Sequence, residues 1–286
     1  MRSNCAQLEK KLPPKKLRFQ LLDIPEVMRS RLGWPVAASL MERWFRSPAF
    51  EMSDSIKRSL TPNQLHKLPE AQLDENKVSM AWALGFVRVQ AAMLQLQKNW
   101  ANPAGLKQLQ TRIERQSNGR NQQCWRFGNL SQTAKLLDAN CQVNIQKIGE
   151  SSDPMDDFYG AMGEATLKVA VSGIVSPKGA GKAKIEIDEL AFYLRDSYDF
   201  NDDSFVSQPL GFWGFNGVVR ALRFPSNVPI TDEWVHEDAA SLRSKTYLVQ
   251  NKHFREWRAK NGKGGDFMIV SDVHRVRLPI PLQLEW

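Results

Sequence analysis

The residues best suited to chemistry stand together in Arg195-Asp196-Ser197-Tyr198-Asp199-Phe200-Asn201, at the end of a long apolar run. Two carboxylates and a phenol occupy i, i+2 and i+3, and Asp202 and Asp203 follow at once. Hydrolysing a phosphoester or pyrophosphate bond requires three things: neutralising charge on the transferring group, activating water, and protonating the leaving oxygen. Mg2+ held by one or two carboxylates, with waters completing its octahedron, does the first and helps the second. Asp196 and Asp199 are therefore the candidate metal ligands or base. Tyr198 is the candidate partner of a phosphate oxygen or of an Asp. On a continuous strand Asp196 and Tyr198 share one face and Asp199 takes the other, whereas a loosened strand end lets all three converge. The competing reading is a plain polar turn closing a strand, since Asp and Asn dominate turns.

Two further stretches carry candidate groups. In Lys252 to Asp266, a helix running to Lys260 puts Arg255 and Arg258 on one face and His253 and Trp257 on another. Gly262, Gly264 and Gly265 would end it and expose backbone N–H groups to phosphate oxygens. Arg255, Arg258 and Lys263 are the candidate substrate-binding cations; the alternative is a basic amphipathic helix with a glycine cap. The spacing is neither a P-loop nor a dinucleotide fingerprint. In Val273-His274-Arg275-Val276-Arg277-Leu278, strand alternation puts His274 with Val276 and Leu278, and Arg275 with Arg277. His274 with Arg275 is one candidate pair for proton transfer and phosphate binding, and His253 with Arg255 is the other. His66 and His236 have no evident role. No Ser-His-Asp or Cys-His set and no zinc-ligand spacing is recognisable. Cys5, Cys124 and Cys141 are too few for a disulfide framework, and a Cys124–Cys141 bridge is an open question.

The elements that must position these groups change character midway. Pro35 opens a helix through Phe45. Asp74 to Asn99 reads as the longest helix, with Val78, Ala81, Trp82, Gly85, Val89, Ala92, Met93 and Leu96 at helical spacing. Asn102-Pro103 caps the next, to about Gln116, and Ser131 caps a short one to Asn140. After Ser151-Ser152-Asp153-Pro154 the pattern turns to strands: Ala165 to Val175, a turn over Ser176 to Gly181, and a return over Lys184 to Leu194, which form a hairpin. Phe267 to Val270 and Val273 to Ile280 are two more strands. Leu210-Gly211-Phe212-Trp213-Gly214-Phe215 reads as an apolar loop, suited to a polyprenyl groove, a membrane interface or simple burial. The fold class is α+β: a helical part over residues 1–150 and a β-rich part over 151–286.

Composition bounds the function. With 42% hydrophobic residues the chain can bury a core. Its net charge of +8 is uneven: residues 1–150 hold 23 Lys and Arg against 12 Asp and Glu, residues 151–286 hold 16 against 19. A basic first half favours anionic surfaces, lipid or nucleic acid. The acidic balance of the half bearing the candidate site speaks against a nucleic-acid enzyme. The first residues lack an apolar signal-peptide core and no stretch is long enough to span a membrane. The expectation is a protein made in the cytoplasm and exported, if at all, by a dedicated secretion machine.

Two resemblances add to this reading. Gly163-Glu164-Ala165-Thr166-Leu167-Lys168, strand, glycine-containing turn, strand, then Asp196-x-Tyr198-Asp199-Phe200-Asn201 resembles the catalytic domain of colicin M-type bacteriocins. The resemblance implies a Mg2+-dependent hydrolase of lipid II, cutting between lipid and pyrophosphate in the periplasm of target cells. It covers about a seventh of the chain. The family's His-Arg pair is replaced here by Asp202-Asp203-Ser204-Phe205-Val206-Ser207, so His274 or His253 would have to substitute. Separately, Arg31-Leu32-Gly33-Trp34-Pro35-Val36, Leu40-Met41-Glu42-Arg43-Trp44-Phe45 and Lys263-Gly264-Gly265-Asp266-Phe267 resemble uncharacterised bacterial proteins found beside type VI secretion genes. Together they imply an antibacterial effector, partnered by a spike or tube component or chaperone, a cognate immunity protein and lipid II, but no nucleic acid. The rivals are a non-enzymatic adaptor of the secretion apparatus and a cytoplasmic nucleic-acid-binding toxin.

Overall fold

The structure is a computed structural model and describes residues 19–60, 64–120, 122–179, 182–202, 207–221 and 246–285. Cys5, Pro62, Asp203 to Val206 and His236 lie outside the described residues.

The organising element is the long hairpin of β4 (Ala165–Gly179) and β5 (Lys182–Tyr198), paired antiparallel from Thr166 opposite Arg195 to Gly179 opposite Lys182. Leu190, Ala191, Phe192, Tyr193 and Leu194 are all buried, so both faces of β5 are covered there. That is why the sequence runs apolar without alternation at this point. Beside β5, β9 (Phe267–Val270) pairs with its last four residues and β10 (His274–Glu285) with its earlier part. Beside β4 run β2 (Trp125–Phe127) and β3 (Gln142–Ile148), and β1 (Leu73–Asp74) runs parallel to β9. These seven strands make one curled sheet. A second sheet has the order β7 (Gly217–Val219), β6 (Pro209–Gly214), β8 (Tyr247–Gln250).

The helices in chain order are α1 (Ile24–Val27), α2 (Pro35–Arg46), α3 (Asp54–Ser59), α4 (Met80–Ala83), α5 (Val87–Asn99), α6 (Pro103–Ser117), α7 (Ala134–Asn140), α8 (Asp157–Met162) and α9 (Asn251–Asn261). The α+β class is the one observed. The boundary expected near residue 150 falls between β3 and β4, which are neighbours in one sheet. Strands β1, β2 and β3 thus come from the part read as helical.

Several local expectations are corrected. The long helix over 74–99 is two helices, α4 and α5, preceded by the short strand β1. The break lets Trp82 donate its indole N–H to Asp157 at 3.0 Å and pack its ring against Phe86 and Phe158. Among the described residues the longest helix is α6, started by Asn102, whose side chain accepts from Gly105 N at 2.9 Å. α7 begins after Thr133 rather than Ser131. The 210–215 segment is largely strand β6, and Trp213 is buried edge-on against Trp34. Cys124 and Cys141 are both unbridged, and burial pushes the Cys141 thiol up to about 12.

Two of the phrases resembling the secretion-associated proteins, Leu40 to Phe45 and Lys263 to Phe267, meet in one place. Gly264 has φ +94°, and a Cβ there would stand 2.5 Å from the Trp44 ring, so only glycine fits. The Trp44 indole donates to the Asp266 carboxylate at 2.8 Å, which also accepts from Met52 N at 3.0 Å and Arg258 at 3.2 Å. These residues tie α2 to α9 and β9.

Candidate active site

At the end of β5 the alternation of side chains sorts neighbouring residues onto opposite faces. Tyr193 and Arg195 turn to Asp138 of α7, whose buried carboxylate accepts from Tyr193 at 3.0 Å, Arg195 at 2.9 Å and Lys168 at 2.6 Å. Asp196 and Tyr198 take the other face, as the alternation predicts, and line a cavity of about 430 Å³. The strand stops at Tyr198, and Asp199 starts an Asx turn in which its carboxylate accepts from Asn201 N at 3.2 Å. This turn brings Asp199 to the same cavity. Strand loosening, not strand continuation, is what unites the three.

The cavity is lined by both polar and apolar side chains. The polar lining includes Asp196, Asp199, Glu164, Lys57, Asn201 and Asn251; the apolar lining includes Met28, Trp34, Met155, Leu210, Trp213 and Phe254. Glu164 sits just ahead of β4, beside the end of β5. Lys57 of α3 pairs with Asp199 at 2.9 Å. Asp196 is half-buried and lines the cavity. Burial pushes its carboxyl well above the ordinary aspartate value, and the neighbouring charges of Asp199 and Glu164 push the same way, against the Ser197 N–H and Lys57. The Tyr198 ring stacks on Phe267 at 5.2 Å and meets Phe200 edge-on, and burial raises its phenol above the ordinary value. Tyr198 is thus a neutral wall of the site.

The other candidates lie elsewhere. Arg258 is buried between Phe50 O and Asp266 and holds the core. Arg255 braces the turn from outside the cavity lining, donating to Phe200 O at 2.8 Å and pairing with Asp202 at 2.6 Å. Lys263 is exposed, its backbone bridged to Pro48. The N–H groups of Gly262, Gly264 and Gly265 are taken by Arg258 O, Ser47 O and Trp44 O. His253 Nδ1 accepts from Gln250 N at 3.0 Å and caps its own helix. His274 pairs across the sheet with Phe192, four residues before Asp196, roughly 13 Å away at the rise of a strand. Arg275 makes a two-pronged pair with Glu189 at 2.9 and 3.1 Å, in a different groove. The cavity therefore brings together Asp196, Tyr198 and Asp199, and neither histidine pair. Sequence reasoning missed Lys57 and Glu164. Glu164 lies inside the quoted Gly163–Lys168 run, but Lys57 is 142 positions from Asp199 and carries no local signal.

Whether these residues suit Mg2+ is decided by the donor set. Among the described residues no group of three or more His, Cys, Asp or Glu side chains is arranged to enclose a metal ion. An open Mg2+ site asks for less, one or two carboxylates with water and substrate oxygens. Among the described residues, three carboxylates and one ammonium line the cavity, and two of the carboxylates disfavour the charge on the third. Excess negative charge of this kind is what a cation relieves. By donor type, Asp196 and Asp199 are the residues that would hold an ion in that open mode.

The fold and this site define an α+β protein with a carboxylate-lined cavity at a strand end. The chain matches DUF6402, a family of unknown function, over residues 19–286, and it belongs to that family. No curated protein and no solved structure matches it.

Proposed function

We propose that the protein is an antibacterial toxin, delivered as a type VI secretion effector, that hydrolyses lipid II at its lipid–pyrophosphate linkage in the periplasm of target cells. The observation that carries the reading is that Asp196 and Asp199, singled out by residue type, open on one cavity that apolar side chains also line. Charged groups for the phosphoryl group and apolar side chains for a prenyl chain, on one cavity, are the two kinds of lining that such a substrate asks for. Held by Asp196 and Asp199, Mg2+ would neutralise charge on the phosphoryl oxygens. Tyr198 shapes the wall. With His274 and His253 turned elsewhere, proton transfer falls to Glu164, a carboxylate on the same cavity. The apolar lining from α1, β6 and β8 would pack against the chain end of the substrate.

Delivery would need a spike or tube component or a chaperone, and a producing cell would need a cognate immunity protein. The test is expression in a bacterium with and without an added periplasmic signal, following lysis and the lipid-linked precursor pool. Lysis only on export, lost in Asp199→Asn and Asp196→Asn at normal protein levels, is the expected outcome. A fully toxic Asp199→Asn variant contradicts the mechanism. Inertness in both compartments favours the adaptor reading, and killing from the cytoplasm alone favours nucleic acid.

A further inference from the structure

The heptapeptide Arg195 to Asn201 does more than present carboxylates: its two ends hold a distant segment whose Lys57 lines the cavity. Arg195 donates to Leu60 O at 3.1 Å and Asn201 Nδ2 to Met52 O at 2.8 Å. Met52 N is fixed in turn on Asp266 at 3.0 Å. Between these clamps lies α3, started by the Ser53 hydroxyl, which accepts from Ile56 N at 3.4 Å. Its Lys57 reaches Asp199 at 2.9 Å and lies 3.7 Å from Asp54. Among the described residues that line the cavity, Lys57 is the sole lysine or arginine. The cations that the sequence offered for phosphate binding are committed to other contacts or exposed elsewhere.

We infer that Lys57 binds the anionic centre of the ligand, a phosphate or pyrophosphate ester, and that Asp199 holds its ammonium at the cavity wall until the ligand arrives. The ligand class rests on the hydrolase reading; the placement of Lys57 does not. A lysine ammonium is a compact charge with three donors on a flexible stem, so it can turn from a carboxylate to a phosphoryl oxygen while α3 stays clamped. The side chain keeps 28% of its surface open, enough to be met by a ligand. Asp199 is then a positioning residue for Lys57 as well as a candidate metal ligand. This explains why a six-residue helix far away in sequence is anchored at both ends by the motif.

The test is calorimetric titration of the full chain with inorganic pyrophosphate in the presence of Mg2+. Wild type should bind, Lys57→Met should bind on the order of tenfold more weakly, and Lys57→Arg should recover most of the loss. Thermal melts check folding, with Lys57→Gln as the second variant should Lys57→Met melt early. Wild-type affinity in Lys57→Met or Lys57→Gln overturns the inference, as does a wild type that does not take up pyrophosphate. Lys57-dependent binding by a protein that fails to kill on export would uphold the inference and sink the hydrolase. Undiminished killing by Lys57→Met would do the reverse.

Discussion

Asp138 and Asp196 sit on opposite faces of the same hairpin end, and their surroundings differ in sign. Asp138 is wholly buried and over-supplied with donors: Lys168, Arg195 and Tyr193 all reach its carboxylate. Asp196, next to Arg195 in sequence, has Asp199 and Glu164 as charged neighbours, and the nearby cation, Lys57, is paired with Asp199. Glu189, earlier on β5, follows the Asp138 pattern through its two bonds to Arg275. Carboxylates matched by their own cations hold elements together. One left short of positive charge in a cavity is poised for a ligand that brings it.

The comparison can be broken most forcefully at Asp138. Asp138→Asn leaves Lys168 and Arg195 buried without their counter-charge, and should destabilise the protein by about 3–5 kcal/mol in a denaturant titration. Asp196→Asn should do the opposite: unchanged or raised stability with loss of the proposed toxicity. Equal destabilisation by the two variants would remove the distinction. Glu189→Gln should lie between, costing about 1.5 kcal/mol through the charge-assisted bonds to Arg275 while leaving toxicity intact.

Acidity sharpens the same contrast. The Asp196 carboxyl is raised above its ordinary value of 3.8 in the folded protein, chiefly by burial. A group raised on folding adds stability below its unfolded value and loses it as pH climbs through the folded one. In a chelating buffer, wild type should therefore lose stability relative to Asp196→Asn as pH rises from about 4. A constant difference across that range would contradict the assignment. The smallest effect belongs to Arg126 and Asp188, a two-pronged pair at 2.7 and 2.9 Å whose side chains are 45% and 37% exposed. A double-mutant cycle there should give about 0.5 kcal/mol.

What the sequence conveyed was local. The hairpin, β9, β10 and α9 announced themselves by apolar runs, by alternation as in β10, or by caps such as Gly262, which adopts the left-handed conformation at the end of α9. The break between α4 and α5 was hidden, because the helical spacing of apolar residues continues across Gly85 while the reason to stop, Asp157 receiving Trp82, comes from a distant helix. Strands β2 and β3 were hidden for a similar reason, both being completed by pairing with the distant β4. Asp196, Tyr198 and Asp199 were legible as a cluster. The cations were not: Arg258 looked available and is spent on Asp266, while Lys57 looked like one of many surface lysines. Residue type shows which groups could act, but charge pairing in three dimensions decides which are left to do so.

The most direct measurement incubates the purified full chain with lipid II and Mg2+ and follows release of the pyrophosphate-linked headgroup, for wild type and Asp199→Asn, with and without chelator. The account predicts release by wild type that stops with chelator and in the variant. Intact lipid II with wild type, or equal release by Asp199→Asn, would contradict it.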